Sequence, residues 1–317
     1  MNRYLLLAAV LLAGCAGGPP LKPFPQTLPA NLPQEIAGVP FHPQEALQCG
    51  PAALATVLGW SGVEASPATL SRQLFIPARG GTLQPELKAQ ARVHGRLAYE
   101  LPPEPAALLA ELAAGHPVLV LQNNGITIWP YWHYAVAVGA DEERVYLRSG
   151  RHRLHELKAK TFLRTWRRAG YWALAVLPPD RLPVSVIPDE ALRAFADFMR
   201  VHPDAPLPAL ELAVARWPEH GGLRFARANR LYAEGDTARA AEEYRAILAR
   251  QPDALPVRNN LAWLLAEQGA AAEALQLLET DAGAERWREE LAHTRSFARC
   301  RQDGHAVTEC ERRAAAR

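Results

Sequence analysis

Apolar positions along the chain change their spacing twice. After a short opening run from Leu5 to Leu12, the first long apolar stretch is Cys49 to Trp60. It reads as a helix with Pro51 near its first turn, where a missing backbone N–H costs nothing. Pro67 to Leu74, Leu83 to Val93 and Pro105 to Ala114 read as three more helices. The spacing then shortens to strand type. Pro117 to Gln122 is a compact apolar run, and His133 to Gly139, Arg144 to Arg148 and Tyr171 to Leu177 follow as strands with turn residues between them. Helices first and an antiparallel sheet second predict an α+β domain over residues 41–178.

Four prolines (Pro178, Pro179, Pro183 and Pro188) mark a linker over residues 179–189. Beyond it the chain is rich in Ala, Leu, Arg and Glu, and its pattern is helical. It also repeats. Leu231, Gly235 and Ala240 recur 34 residues later as Leu265, Gly269 and Ala274, Ala228 as Ala262, and Pro218 as Pro252. Small residues where paired helices touch, with a Gly at the turn, resemble the tetratricopeptide repeat at that period. An all-α repeat domain is expected over residues 190–299, with Glu190 to Pro218 as a degenerate first repeat and residues 300–317 as a tail.

The N-terminus has a different character. Arg3 supplies a positive end, and the apolar run after it is too short to span a bilayer, which needs about 20 apolar residues. The run ends in Leu12-Ala13-Gly14-Cys15, which resembles the lipobox of bacterial lipoproteins. Residues 1–14 then read as a signal peptide and Cys15 as the acylated residue, holding the chain on a membrane. Ala16 stands where an Asp would favour the inner membrane, so an outer-membrane lipoprotein facing the periplasm is expected. Residues 15–40 contain Pro19, Pro20, Pro23, Pro25, Pro29, Pro33 and Pro40 and read as an extended tether lifting the folded body off the membrane.

Charge and cysteine usage narrow the functions. The formal charge is +2, or +1 once Arg3 leaves with the signal peptide, and no basic run interleaved with aromatics suggests nucleic acid. Cys300 and Cys310 near the C-terminus are expected to pair in an oxidising compartment. A metal is disfavoured there, since no CxxC is present and only His305 lies between the two cysteines. The chain calls for no cofactor.

Two stretches carry candidate chemistry. In Phe41-His-Pro-Gln-Glu-Ala-Leu-Gln-Cys-Gly-Pro-Ala-Ala-Leu54, Cys49 opens a helix, whose dipole and free N–H groups would stabilise a thiolate. An upstream Gln, Gln44 or alternatively Gln48, would set an amide N–H beside an oxyanion. In Trp132-His-Tyr-Ala-Val-Ala-Val-Gly139, His133 opens a strand and could serve as general base and then acid. Trp129, Tyr131 and Trp132 read mainly as core, with an aromatic cleft rim as the alternative. Arg148, Arg151, His152, Arg153 and His155 read as a solvated strand end.

Gln44…Cys49-Gly50-Pro51-Ala52, with His133-Tyr134 much later, resembles the papain-like cysteine peptidases that process double-glycine leaders and their C39-like relatives. The resemblance covers about residues 41–178. It implies a papain-like fold, Cys49 as nucleophile, Gln44 and the Cys49 N–H at the oxyanion, and His133 as the proton carrier. In the family an Asp follows the His by 16 residues and orients it, and here that position is Ser149. A hydroxyl can accept the ring N–H bond but cannot stabilise an imidazolium as a carboxylate does. Asp141 lies in the turn Gly139 to Glu143 and is the less suitable partner, and Asn123 or Asn124 are the other groups that could orient the ring.

The expected function is a membrane-anchored periplasmic cysteine peptidase acting on a peptide or protein substrate, with the repeats recruiting a protein partner. The alternatives are a catalytically weak peptidase-like adaptor, and an acyl or amide transferase using the same thioester chemistry.

Overall fold

The computed structural model describes residues 19–44, 48–279 and 284–315. The segment expected to be a signal peptide and Cys15 lie outside them. Two compact units divide between Ala209 and Leu210.

The first unit opens with helix α1 (Cys49–Trp60), followed by α2 (Pro67–Leu74), a short 3₁₀ turn (Pro77–Arg79) and α3 (Gln84–Val93). Strand β1 (Leu97–Glu100) and α4 (Pro105–Ala113) lead into β2 (Val118–Asn123), β3 (Trp132–Ala140), β4 (Arg144–Ser149) and β5 (His152–Lys158). Helix α5 (Ala159–Arg167), β6 (Ala173–Leu177) and α6 (Pro188–Val201) complete it. The sheet is antiparallel with strand order β1-β6-β2-β3-β4-β5. Every residue of β2 and β6 is buried, as both faces of the middle strands are covered. Helix α1 is buried from Gly50 to Leu58, because Ala, Leu and Val occupy all its sides and it runs through the core rather than along a surface.

Three elements were not legible in the pattern. β1 is four residues long, β5 carries mostly charged and polar side chains on an edge, and α5 is a short helix dense in Arg and Lys.

The proline-rich segment is not a tether. Its described part, residues 19–40, lies along the first unit as a strap. Lys22 N–H donates to Tyr171 Oη, Asn31 to the Ala113 carbonyl, Ala140 N–H to the Pro33 carbonyl and Ile36 N–H to the Val138 carbonyl. Ile36 and Val39 are buried. Gly139 makes the contact possible, since a Cβ there would stand 2.1 Å from the Gln34 carbonyl oxygen. Proline supplies the extended φ and leaves few donors unmatched. The strap also overturns the reading of Arg148 as solvated. Arg148 is 2 % exposed and donates to Glu35 Oε1 at 2.5 Å and to the Val39 and Arg153 carbonyls. The guanidinium holds the Glu35 carboxyl below its usual range.

The second unit is helical. After α7 (Pro208–Arg216), which straddles the boundary, come α8 (Gly221–Ala233) with α9 (Thr237–Leu248), α10 (Leu255–Glu267) with α11 (Ala271–Leu277), and α12 (Arg288–Gln302) with α13 (Val307–Ala315). The starts of α8 and α10 are 34 residues apart (221 to 255), as are those of α9 and α11 (237 to 271). Gly235 and Gly269 take φ of +85° and +89° at the two turns, a conformation in which a Cβ is strained. Ala228, Ala240, Ala262 and Ala274 are buried where the helices meet. A disulfide joins Cys300 to Cys310 and closes the last hairpin.

The boundary differs from the expected one. Helix α6 packs on β1 and α3 in the first unit instead of opening the repeats at residue 190. Its buried face (Ala191, Ala194, Phe195, Phe198) is periodic in the manner of a repeat helix, and sequence alone does not say which unit that face meets. Among the described residues no helix is long and apolar enough to cross a membrane.

Candidate active site

The edge of β3 builds the site. β4 pairs with β3 as far as Arg148, opposite Val136, and the chain turns at Gly150, where φ is +60°. In an antiparallel pair a residue directs its N–H and C=O to the same neighbour. Tyr134 therefore presents both groups to a place that β4 has vacated. Two side chains fill it. Gln44 Nε2 reaches the Tyr134 carbonyl at 3.4 Å, and the Tyr134 N–H is directed at the Cys49 sulfur. Gln44 is fastened from behind. Its Oε1 accepts from Gly150 N–H at 3.0 Å, and its own N–H donates to the Gly150 carbonyl at 2.9 Å.

Cys49 stands half-buried at the first residue of α1. No acidic residue occupies the first turn of this helix, and no side chain caps it, so its leading N–H groups face the sulfur's surroundings. Gly50 is needed behind the cysteine, where a Cβ would meet the Thr82 side chain at 2.8 Å. Tyr134 Oη donates to the Thr82 carbonyl at 3.2 Å, so α1, the Thr82 loop and β3 are locked together around the thiol. Gln48 is the N-cap by position, without a side-chain cap hydrogen bond.

His133 is held from the other side. Its Nε2 lies 2.8 Å from Ser149 Oγ. With Nε2 engaged, Nδ1 is the ring nitrogen left for proton transfer. Among the described residues no hydrogen bond joins the thiol to the ring, and such contacts commonly tighten only when substrate binds. Asn123 does not orient the ring. Its Oδ1 accepts from Gly125 N–H and Tyr131 N–H and shapes the loop before β3. Asp141 is also engaged elsewhere, in the β3–β4 turn, where its carboxylate accepts from Glu143 N–H, Arg144 N–H and Tyr146 Oη.

The electrostatics run against the expected thiolate. Burial pushes the Cys49 thiol above its ordinary value and outweighs the opposing pull of the N–H groups of Tyr134, Gly50 and Cys49 itself. Burial, and after it the proximity of His155, lower His133. Both groups are therefore neutral near pH 7, and the helix end alone does not make the ion pair.

Behind His133 the candidates named from sequence meet two residues that sequence did not single out, Gln122 and Thr165. A cavity of about 320 Å³ is lined by Gln122, Asn124, His133, Ser149, His155 and Thr165, among others. Gln122 pairs with His133 across the β2–β3 ladder and donates to Thr165 Oγ1 at 2.7 Å. His155 sits on β5, whose polar pattern disguised a strand facing the site. Trp129, Tyr131 and Trp132 are exposed and take no part in the core.

Comparison with known proteins adds the following. A tetratricopeptide-repeat family model matches residues 231–289. No curated protein matches the chain. Solved structures similar to it include a protein described as a C39-like peptidase from Bacillus anthracis, at 18% identity and TM-score 0.39, over 45% of this chain and 96% of that one. A second is the peptidase domain of Streptococcus ComA, a bifunctional ABC transporter of a quorum-sensing pathway, at 20% identity and TM-score 0.37, over 44% and 98%. A third is a double-glycine motif protease from an AMS/PCAT transporter in complex with the leader peptide, at 21% identity and TM-score 0.36, over 48% and 99%.

Proposed function

We propose that the chain is a lipid-anchored cysteine peptidase of the bacterial envelope, held by Cys15 in the outer membrane and facing the periplasm. The observation that carries the catalytic reading is the vacated edge of β3, where Cys49 and Gln44 meet the backbone of Tyr134 beside a His133 braced by Ser149. In this mechanism substrate binding excludes water and draws the His133 ring onto the thiol. Nδ1 takes the thiol proton as sulfur attacks the peptide carbonyl. Gln44 Nε2 and the Cys49 N–H receive the oxyanion. The proton passes from Nδ1 to the leaving amine, and water then hydrolyses the thioester with His133 again as base.

The second unit recruits protein. A groove of about 1230 Å³ lies there, lined by Asn229, Tyr232, Asn260, Trp263 and His293 among others. Asparagine amides suit the alternating donors and acceptors of an extended peptide backbone, and the aromatics suit its side chains. The neutral ground state of Cys49 and His133, with no carboxylate on the ring, favours a slow enzyme and keeps a binding-only adaptor as the second reading. Incubation with a peptide library, analysed by mass spectrometry for wild type and Cys49→Ala, separates the two. Cleavage confined to the wild type supports the peptidase, and identical product profiles reject it.

A further inference from the structure

The loop between β2 and β3 turns its apolar side chains outward. Ile128 is 85 % and Trp129 80 % exposed, and Ile126, Tyr131 and Trp132 are also exposed. The loop is nonetheless a built hairpin. Ile126 and Trp129 exchange N–H···O bonds in both directions, Asn124 N–H donates to the Tyr131 carbonyl, and Asn123 Oδ1 accepts from Gly125 and Tyr131. A Cβ on Gly125 would stand 2.3 Å from the Trp129 carbonyl oxygen, so glycine lets the hairpin fold back tightly. A rigid tip that offers Ile and Trp to solvent is costly to solubility unless something covers it.

The path of the N-terminal strap says what does. Arg167 Nη1 donates to the Pro19 carbonyl, and the next residue, Arg168, donates through Nη1 to the Asn123 and Gly125 carbonyls at the base of the hairpin. One helix end thus holds both the beginning of the strap and the hairpin. Cys15 precedes Pro19 by four peptide links. At 3.8 Å per link they reach at most about 15 Å. A residue acylated at Cys15 therefore cannot hold the first unit far from the bilayer, and the membrane lies on the hairpin's side of it.

We propose that the hairpin Ile126–Trp132 is a membrane-contact surface, resting at the boundary between headgroups and acyl chains of the phospholipid layer that carries the anchor. This rests on lipidation of Cys15. Trp and Tyr favour that boundary, where the ring is in an apolar layer and its polar atom is wet. Lys160 and Arg164, four residues apart on the exposed side of α5, supply cations for anionic headgroups. His133 follows the hairpin directly, so the active site opens close to the bilayer surface and is presented with peptides held there.

The test uses the full chain extracted from membranes in a Cys49→Ala background. A bimane fluorophore is placed on Ile128→Cys or, for comparison, on Val93→Cys at the exposed end of α3, and the protein is reconstituted into phosphatidylethanolamine–phosphatidylglycerol vesicles containing headgroup-nitroxide lipid. Quenching about threefold stronger at position 128 is expected from interfacial burial. Equal quenching on vesicles that carry the protein overturns the hairpin and leaves the anchor standing. If the extracted chain does not stay on vesicles, the lipid anchor has failed, and a Cys15→Ala chain decides the hairpin separately. Sedimentation with the same vesicles at low salt, reduced about tenfold by Trp129→Asp, supports it, since a charge at the boundary is strongly disfavoured. No sedimentation of the unaltered hairpin overturns it. An Ile128→Asp chain that keeps Cys49, whose vesicle behaviour is unchanged while its KM for peptide rises, would make the hairpin a substrate rim instead, and the proposal wrong.

Discussion

The two units assemble their polar contacts over very different distances along the chain. In the first, Gln44 meets Tyr134 across 90 residues and Gly150 across 106, and Glu35 meets Arg148 across 113. In the second, Asn229 is met by Tyr244 and Asn260 at separations of 15 and 31, Tyr232 meets Glu267 at 35 and Thr294 meets Asn259 at 35. Contacts in the second unit thus span about one repeat or less, within a hairpin or between it and its neighbour. The first unit has no working part until the whole sheet has closed. The candidate site is therefore sensitive to single changes at remote positions, whereas damage among the repeats stays local.

The strongest way to break this contrast is Cys49→Ala. It should lower peptide turnover by at least about a thousandfold, as for removal of a nucleophile elsewhere. The thermal transition should not shift, since the side chain is small and half-buried. An active variant would remove the site from this edge of β3. Gln44→Ala comes next. Loss of one oxyanion donor lowers kcat by about a hundredfold, with KM little changed. An effect on KM alone would make Gln44 a mere fastener of the turn at Gly150.

On the side of the repeats, Cys300→Ser with Cys310→Ser should destabilise the second unit by roughly 2–3 kcal/mol through the lost loop constraint. Two-stage denaturation would show it. The transition of the first unit should stay in place, and its displacement would mean the units do not respond separately.

Smaller effects sharpen the account of His133. Ser149→Asp would place a carboxylate on the ring and favour its charged form, so alkylation of Cys49 near pH 7 should rise by roughly three- to tenfold. Ser149→Ala should lower turnover only a few-fold, through lost orientation. No change in either would mean that the 2.8 Å contact does not steer the ring. In wild type, iodoacetamide labelling should climb only above the ordinary thiol value of about 8.5, because burial raises Cys49. His133 works as a base when neutral and its value is lowered, so activity should persist below the ordinary imidazole value of about 6.5 and fall as pH drops through the depressed value. His155→Gln removes one cause of that lowering. The acid limb of the pH–rate profile should then move slightly upward, and an unmoved limb would leave burial as the sole cause.

Much of the first unit was legible where one physical signal dominated. Cys49–Trp60 and Pro67–Leu74 begin and end where proline, small apolar residues and turn residues dictate, and β2 and β3 declare themselves through unbroken apolar runs. Ser149 could be named because its spacing from His133 is a property of the chain. β5 was read as solvated strand end because an edge strand alternates polar residues whose inner members meet other polar groups, such as His155 beside His133. The state of the thiol was misjudged because a helix end is visible in sequence, while the burial that opposes it depends on the Thr82 loop and Tyr134, which only the fold brings near. Prolines predict an extended segment but not whether it docks, and so the strap was taken for a free tether.

That strap has a consequence for the order in which the protein is made. It leaves the ribosome more than a hundred residues ahead of Arg148, the side chain that receives Glu35. Until β3 and β4 exist, Pro33, Glu35, Ile36 and Val39 have nothing to pair with. Its prolines keep it from adopting a competing helix or joining a foreign sheet in the interval. A segment synthesised early is thus among the last to settle, and it closes over the β-sheet like the final stave of a cask. Anything pulling on the N-terminus afterwards loads Pro19, Lys22 and Asn31 before it reaches the sheet at Pro33, so a force applied there is shared among separate contacts and is not delivered first to Cys49.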